Sequence, residues 1–138
     1  MNNEILRFFN ELDATLAKIA NPGERLNLFH IGRSALILHY GLTLGTKDID
    51  VIQMRESPLE IKTHELFNKN SENALALGLY LDLVPQGLPP VPQNFRRRCK
   101  EVPGNWSVIR LWRLENHDAA ATKLKSFRPQ DRRLRNRK

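Results

Sequence analysis

Two aspartates one residue apart inside an aliphatic run, Asp48-Ile49-Asp50-Val51-Ile52, constrain this chain more than any other feature. As a strand, period-two alternation places Asp48 and Asp50 on one face and Ile49 and Val51 on the other. The chain must then bury one face of a sheet and open the other to solvent or to a ligand. Carboxylates held side by side repel at neutral pH unless a cation offsets them, and hard divalent ions such as Mg²⁺ prefer carboxylate oxygens. A plain solvated face meets the same pattern, so the spacing needs support from elsewhere.

That support lies upstream. Leu26-Asn27-Leu28-Phe29-His30-Ile31 reads as a short strand, Gly32-Arg33-Ser34 as a tight turn, and Ala35 to His39 as the opening of an apolar helix. A strand–glycine–helix junction offers free backbone N–H groups and the positive end of a helix dipole, which suit a phosphate. Gly41 to Thr46 forms the link into the acidic strand, with two glycines that allow a sharp turn or a close approach to a ligand.

At these residues the sequence resembles the DNA polymerase β-like nucleotidyltransferase superfamily, and within it small bacterial members of the abortive-infection and type IV toxin–antitoxin kind. Gly32, Ala35, Leu36, Thr46, Asp48, Ile49 and Asp50 meet their pattern of Gly-Gly-x-Ala-Leu, a Thr two residues before the first Asp, and Asp-Ile-Asp. Arg33 stands where the second glycine is usual, and Leu44 where an arginine is frequent. An arginine cannot reproduce a bare backbone approach to phosphate. Either its guanidinium takes over as phosphate ligand or the site is damaged.

Before this stretch, Ile5, Phe8, Phe9, Leu12, Leu16 and Ile19 recur at helical spacing and predict an amphipathic helix over 3–20. Phe8 and Phe9 lie on its apolar stripe, as core filling rather than a stacking platform. After it, Ser57-Pro58-Leu59-Glu60 is a helix start with an N-cap serine, a proline at N1 and a glutamate at N3. Ile61, Leu66 and Phe67 are expected to face the core, and His64 to lie at the surface. A short helix is expected over 72–77, turning at Gly78.

Leu79 to Val84 alternates as a strand, which leaves Asp82 on a face with Tyr80 and Val84. A charge there needs water, a partner or a metal. The superfamily resemblance implies a third carboxylate on such a strand, and Asp82 is the acid available. Four prolines between Pro85 and Pro92 exclude regular structure. A short basic helix over 94–100 and a strand over 106–112 follow, the latter with both faces mixed. Glu115 to Lys125 is helical by composition. The resemblance matches Asp118, Lys123, Leu124, Arg128 and Asp131 there, and implies that Lys123 points toward nucleotide phosphates.

The net charge of +7 is uneven, because the residues from Arg128 onward carry five of the seven net positive charges. With Arg96-Arg97-Arg98 and Lys100, this makes RNA or another polyanion a candidate partner, against the bland reading of solvated faces. A single cysteine, Cys99, cannot staple the fold. No apolar run approaches the roughly 20 residues of a membrane span, and the N-terminus lacks the basic start of a signal peptide, so a cytoplasmic location is expected.

These readings converge on an α/β (α+β) nucleotidyltransferase fold, a short mixed β-sheet with helices packed against it. The expected domain spans 1–131, with a basic mobile tail over 132–138. The resemblance implies Mg²⁺-dependent transfer of a nucleoside monophosphate from an NTP to a hydroxyl of RNA, tRNA or protein, with a cognate antitoxin as a further candidate partner. Asp48, Asp50 and Asp82 would hold two Mg²⁺ ions and serve catalysis. Gly32, Arg33, Ser34, Thr46 and Lys123 would contact the nucleotide. The alternatives are a catalytically silent domain of the same fold that binds a protein, and a small basic RNA-binding domain.

Overall fold

The computed structural model describes residues 2–43, 45–87 and 95–114. Leu44, residues 88–94 of the proline loop, Lys123, the helix expected over 115–125 and the basic tail lie outside the described residues, whereas Pro85, expected outside regular structure, ends an edge strand that asks no N–H of it on its free side.

Helix α1 (Asn2–Ala17) forms where the apolar stripe predicts it. Ile5, Phe8, Phe9, Leu12 and Leu16 are completely buried, each worth about 1.5–3 kcal/mol relative to exposure. Phe8 meets Phe67 edge-on, which confirms the aromatic pair as core. The regular helix stops at Ala17, three residues short of the expectation, and Ile19 is exposed on the turn that follows. There the amides of Lys18 and Ile19 fold back three residues, to Thr15 and Leu16, and carry Ile19 off the stripe.

Strand β1 (Leu26–Ile31) leads into α2 (Gly32–Tyr40), which ends on Gly41 in the left-handed conformation. Strand β2 (Asp48–Gln53) runs antiparallel to β1. Helices α3 (Pro58–Phe67) and α4 (Glu72–Leu77) then carry the chain to β3 (Tyr80–Pro85), parallel to β2. A 3₁₀ turn (Phe95–Arg98) stands where a short basic helix was expected. Strands β4 (Lys100–Glu101) and β5 (Ile109–Arg113) complete a five-stranded mixed sheet in the order β3-β2-β1-β5-β4. This is the expected α+β architecture with one short edge strand added.

Sheet register separates two apolar layers. Leu26, Leu28, Ile49, Val51, Leu81, Ile109 and Leu111 face α1 in the main core. Phe29, Ile31, Ile52, Leu36, Phe95 and Leu114 form a second cluster on the other face. Asp50 lies opposite Ile31 on one side and Asp82 on the other, so both acids belong to that second face.

Three local expectations are corrected. Ile61 is exposed, because Leu59, Thr63 and Phe67 form the inward stripe of α3. The helix start does use Ser57, whose Oγ accepts from Leu59 N, but Glu60 reaches past the cap to accept from Met54 N and Arg55 N. That carboxylate is buried and holds Arg55 in the left-handed region, at φ 59°. Strand β5 starts at Ile109, not Trp106, because Asp13 takes the amides of Ser107 and Val108 out of the ladder.

Candidate active site

The acid strand is positioned by its neighbours. Parallel pairing of β2 with β3 sets Asp50 against Asp82 and Asp48 against Tyr80. With Ile49 and Val51 fully buried on the opposite face, no register slip can move the acids without exposing the core. One oxygen from each of Asp48, Asp50 and Asp82 lies within 4.8 Å of the other two. The three carboxylates that the sequence proposed therefore meet in one place.

Their surroundings differ in depth. Asp82 is exposed, while Asp48 and Asp50 are half-buried. Asp50 Oδ1 is buried without a hydrogen-bond partner. Loss of solvent, with the charges of Asp48 and Asp82 adding to it, pushes the Asp50 carboxyl up to about 8. Burial and the charge of Asp48 likewise raise Asp82, whereas the nearby His64 acts to lower it. Tyr80, on the same face, has its hydroxyl raised by burial and by all three carboxylates.

Thr46 supports Asp48 rather than reaching outward. Its hydroxyl lies 2.9 Å from Asp48 Oδ1 and 3.2 Å from the Asp48 carbonyl, and it donates to these acceptors. Gly32 begins α2 at φ +75°, and a Cβ built there would lie 2.6 Å from Asp50 Oδ2. Both facts demand glycine: any side chain would be strained in that conformation and would collide with the acid. The turn after β1 is thus pressed against the carboxylate cluster, as its closeness in sequence suggested.

Arg33 follows Gly32 in the first turn of α2, half-buried. Ser34 is turned inward. It is 1% exposed, and its hydroxyl is hydrogen-bonded to His30 Nε2 at 2.7 Å. Among the phosphate contacts expected from sequence, Ser34 therefore offers a backbone N–H and not its hydroxyl. Lys123 lies outside the described residues.

Two groups near the site were not assigned a role from sequence. Tyr80 shares the alternation that exposed Asp82, so a signal was present. His64 lies on α3, and nothing in its own neighbourhood of the sequence connects it with Asp82; only the packing of α3 against β3 does.

The donor set fits a hard divalent cation. It is all oxygen, it clusters within reach of one ion, and one buried oxygen has no partner of its own. A cation would offset the burial and the repulsion that together raise Asp50, and an adjacent helix start suits the anionic part of a metal-bound ligand. Among the described residues no helix is long and apolar enough to cross a membrane.

A family model described as "Nucleotidyltransferase of unknown function (DUF6036)" matches residues 7–135. No curated protein and no solved structure matches the chain.

Proposed function

The chain belongs to this family of nucleotidyltransferases, whose function is unknown, and from that premise we propose that it transfers a nucleoside monophosphate from an NTP to a hydroxyl acceptor with Mg²⁺. The observation that carries the reading is the carboxylate cluster with a buried, partnerless oxygen at Asp50. Asp48 and Asp50 would hold two Mg²⁺ ions, with Asp82 as a further ligand to one. When bound, the ions supply charge neutralisation for the triphosphate and Lewis acidity toward the reacting oxygens.

The residues themselves divide the remaining work. Asp82, exposed beside the cluster, would accept the proton of the acceptor hydroxyl as its oxygen attacks the α-phosphorus and pyrophosphate leaves. The backbone of Gly32 to Ser34, at the positive end of α2, would bind the β- and γ-phosphates. Arg33 would add a charged donor there in place of the glycine usual in the superfamily. Thr46 would keep Asp48 oriented, and Lys123 would contribute a further phosphate contact. The acceptor proposed from charge is RNA, tRNA included, and a protein antitoxin is the proposed partner.

Calorimetric titration with Mg²⁺ and each NTP tests the reading. Wild type should bind NTP only with metal, and Asp48→Asn and Asp50→Asn should abolish that binding while staying folded. Equal NTP affinity in wild type and both variants would remove the active-site assignment. Metal-dependent binding without turnover on any hydroxyl acceptor would favour a silent domain. In that case Arg33→Gly is the variant in which activity should be sought.

A further inference from the structure

Behind the turn that carries Gly32 runs a buried polar chain that the proposed chemistry leaves unused. Ser34 Oγ lies 2.7 Å from His30 Nε2, and His30 Nδ1 lies 2.8 Å from His39 Nε2. His30 is as deeply buried as Ser34, with Phe9 packed edge-on against it at 5.0 Å between ring centroids. Beyond His39 stands Arg113, which donates to the Tyr40 hydroxyl at 2.9 Å and covers the Tyr40 ring. That hydroxyl donates in turn to the Leu114 carbonyl. Hydrogen bonds thus tie β1 through His30 to Ser34 in the first turn of α2 and His39 in its last, while Arg113 at the end of β5 acts on His39 through its charge.

Burial keeps both rings neutral. It pushes His30 well below the usual histidine range, with the neighbouring His39 adding to the effect, and it lowers His39 to about 4 with help from the Arg113 charge. Two neutral rings sharing one hydrogen bond allow two proton arrangements. In the first, His39 Nε2–H donates to His30 Nδ1, and His30 Nε2–H donates to Ser34. In the second each proton is reversed, and the Ser34 hydroxyl donates to His30. The Arg113 charge acts on His39 and not on His30, so it favours the first, in which both protons are displaced from the His39 end toward Ser34.

We propose that His30 and His39 are positioning residues for the nucleotide site, forming a directed chain whose donors run from the Arg113 end toward Ser34 and fix the first turn of α2 against Asp50. This rests on the function proposed above only in what it says of nucleotide binding. Ser34 then acts through the turn it anchors. Any rotation of that turn would shift Gly32 from its contact with Asp50 and realign the backbone N–H groups meant for phosphate.

A space-filling role would be met by either proton direction and by any side chain of similar size, so the test is directional. Nitrogen NMR of histidine-labelled wild type at neutral pH should find both rings neutral and in the Nε2–H tautomer. An Nδ1–H tautomer at His30 would overturn the proposal. In titrations with Mg²⁺ and each NTP, His39→Gln, which keeps an N–H donor at that reach, should stay within about twofold of wild type. His39→Leu and Ser34→Ala should each weaken binding about tenfold, and the double variant no further, because both break one chain. Wild-type affinity in His39→Leu, or additive losses in the double variant, would also overturn it. If wild type binds no NTP, the function proposed above fails while the His30 tautomer still decides the chain. If His39→Leu does not fold, that same spectrum of wild type carries the decision.

Discussion

Asp50 sits in an environment that opposes its own charge, and the opposition has a pH signature. Its carboxyl titrates near 8 in the folded protein, against about 3.9 in an unfolded chain. Between those values the native state holds a proton that the unfolded state has released, so this group's contribution to stability falls as pH rises from about 4 to about 8, while the depressed His30 and His39 contribute with the opposite sign below about pH 6.5. The raised Asp82 contributes with the same sign. Thermal melts of metal-free protein should show the midpoint falling between about pH 6.5 and about pH 8, above the range in which the histidines oppose it, with a flatter profile in Asp50→Asn. Added Mg²⁺ should raise the midpoint more at about pH 8 than at about pH 5, because the ion binds the ionised carboxylate. A midpoint that climbs steadily over the window would contradict the environment described for Asp50. Alternation along Asp48 to Ile52 made the shared face legible in the sequence. The partnerless Oδ1 was not, because it depends on Gly32 and on β3 closing over the side chain.

At the scale of elements, the join between α1 and the start of β5 depends chiefly on one carboxylate, with Asn10 taking the Trp106 indole N–H beside it. Asp13 accepts from the amides of Ser107, Val108 and Ile109, while Arg25 donates to the carbonyls of Val108 and Ile109 from the start of β1. Asp13→Ala would leave three backbone donors without their ionised acceptor, at a cost of about 2–4 kcal/mol. Asp13→Asn, which retains one acceptor oxygen, should cost less. Urea denaturation measures both, and a loss near zero for Asp13→Ala would mean that water replaces the carboxylate freely. Mg²⁺ binding should survive in the folded fraction, since α1 packs on the sheet face opposite the acids. Asp13 was detectable in principle. It sits on the apolar stripe, four residues after Phe9 and three before Leu16, where a charge requires a buried partner. What that partner would be was not detectable, because it lies more than ninety residues away.

At the scale of the whole molecule, charge is distributed so that the basic C-terminal stretch dominates. In the described body, Arg96 is paired with Glu56, and Arg110 with Glu101. Such exposed pairs add little stability, but they reduce the basic surface left for a polyanion. The sequence after Gln130 carries five cations against Asp131 and is the proposed RNA-binding segment. Truncation after Gln130 should leave Mg²⁺–NTP titrations almost unchanged and weaken binding to single-stranded RNA measured by fluorescence anisotropy. The salt dependence should become shallower, by about 0.7 in log–log slope per lost phosphate contact. A truncated protein that loses its thermal transition would instead make the segment part of the core.

Sequence alone determined what depends on neighbours a few residues apart. The α1 stripe, the caps at Ser57 and Gly78, and the alternation that sorts Asp48, Asp50 and Asp82 from the core follow from helical and strand periodicity. So did the glycine that opens α2, because the motif places a strand, a turn and a helix within a few residues. Only the tertiary structure decided which strands adjoin. It brought Asp82 to Asp50 across the α3–α4 connection, pressed Gly32 onto the acid, and turned Ser34 inward onto His30 and His39. Those contacts are set by sheet order and by side chains converging from separate elements. No local period in a sequence encodes where such elements meet.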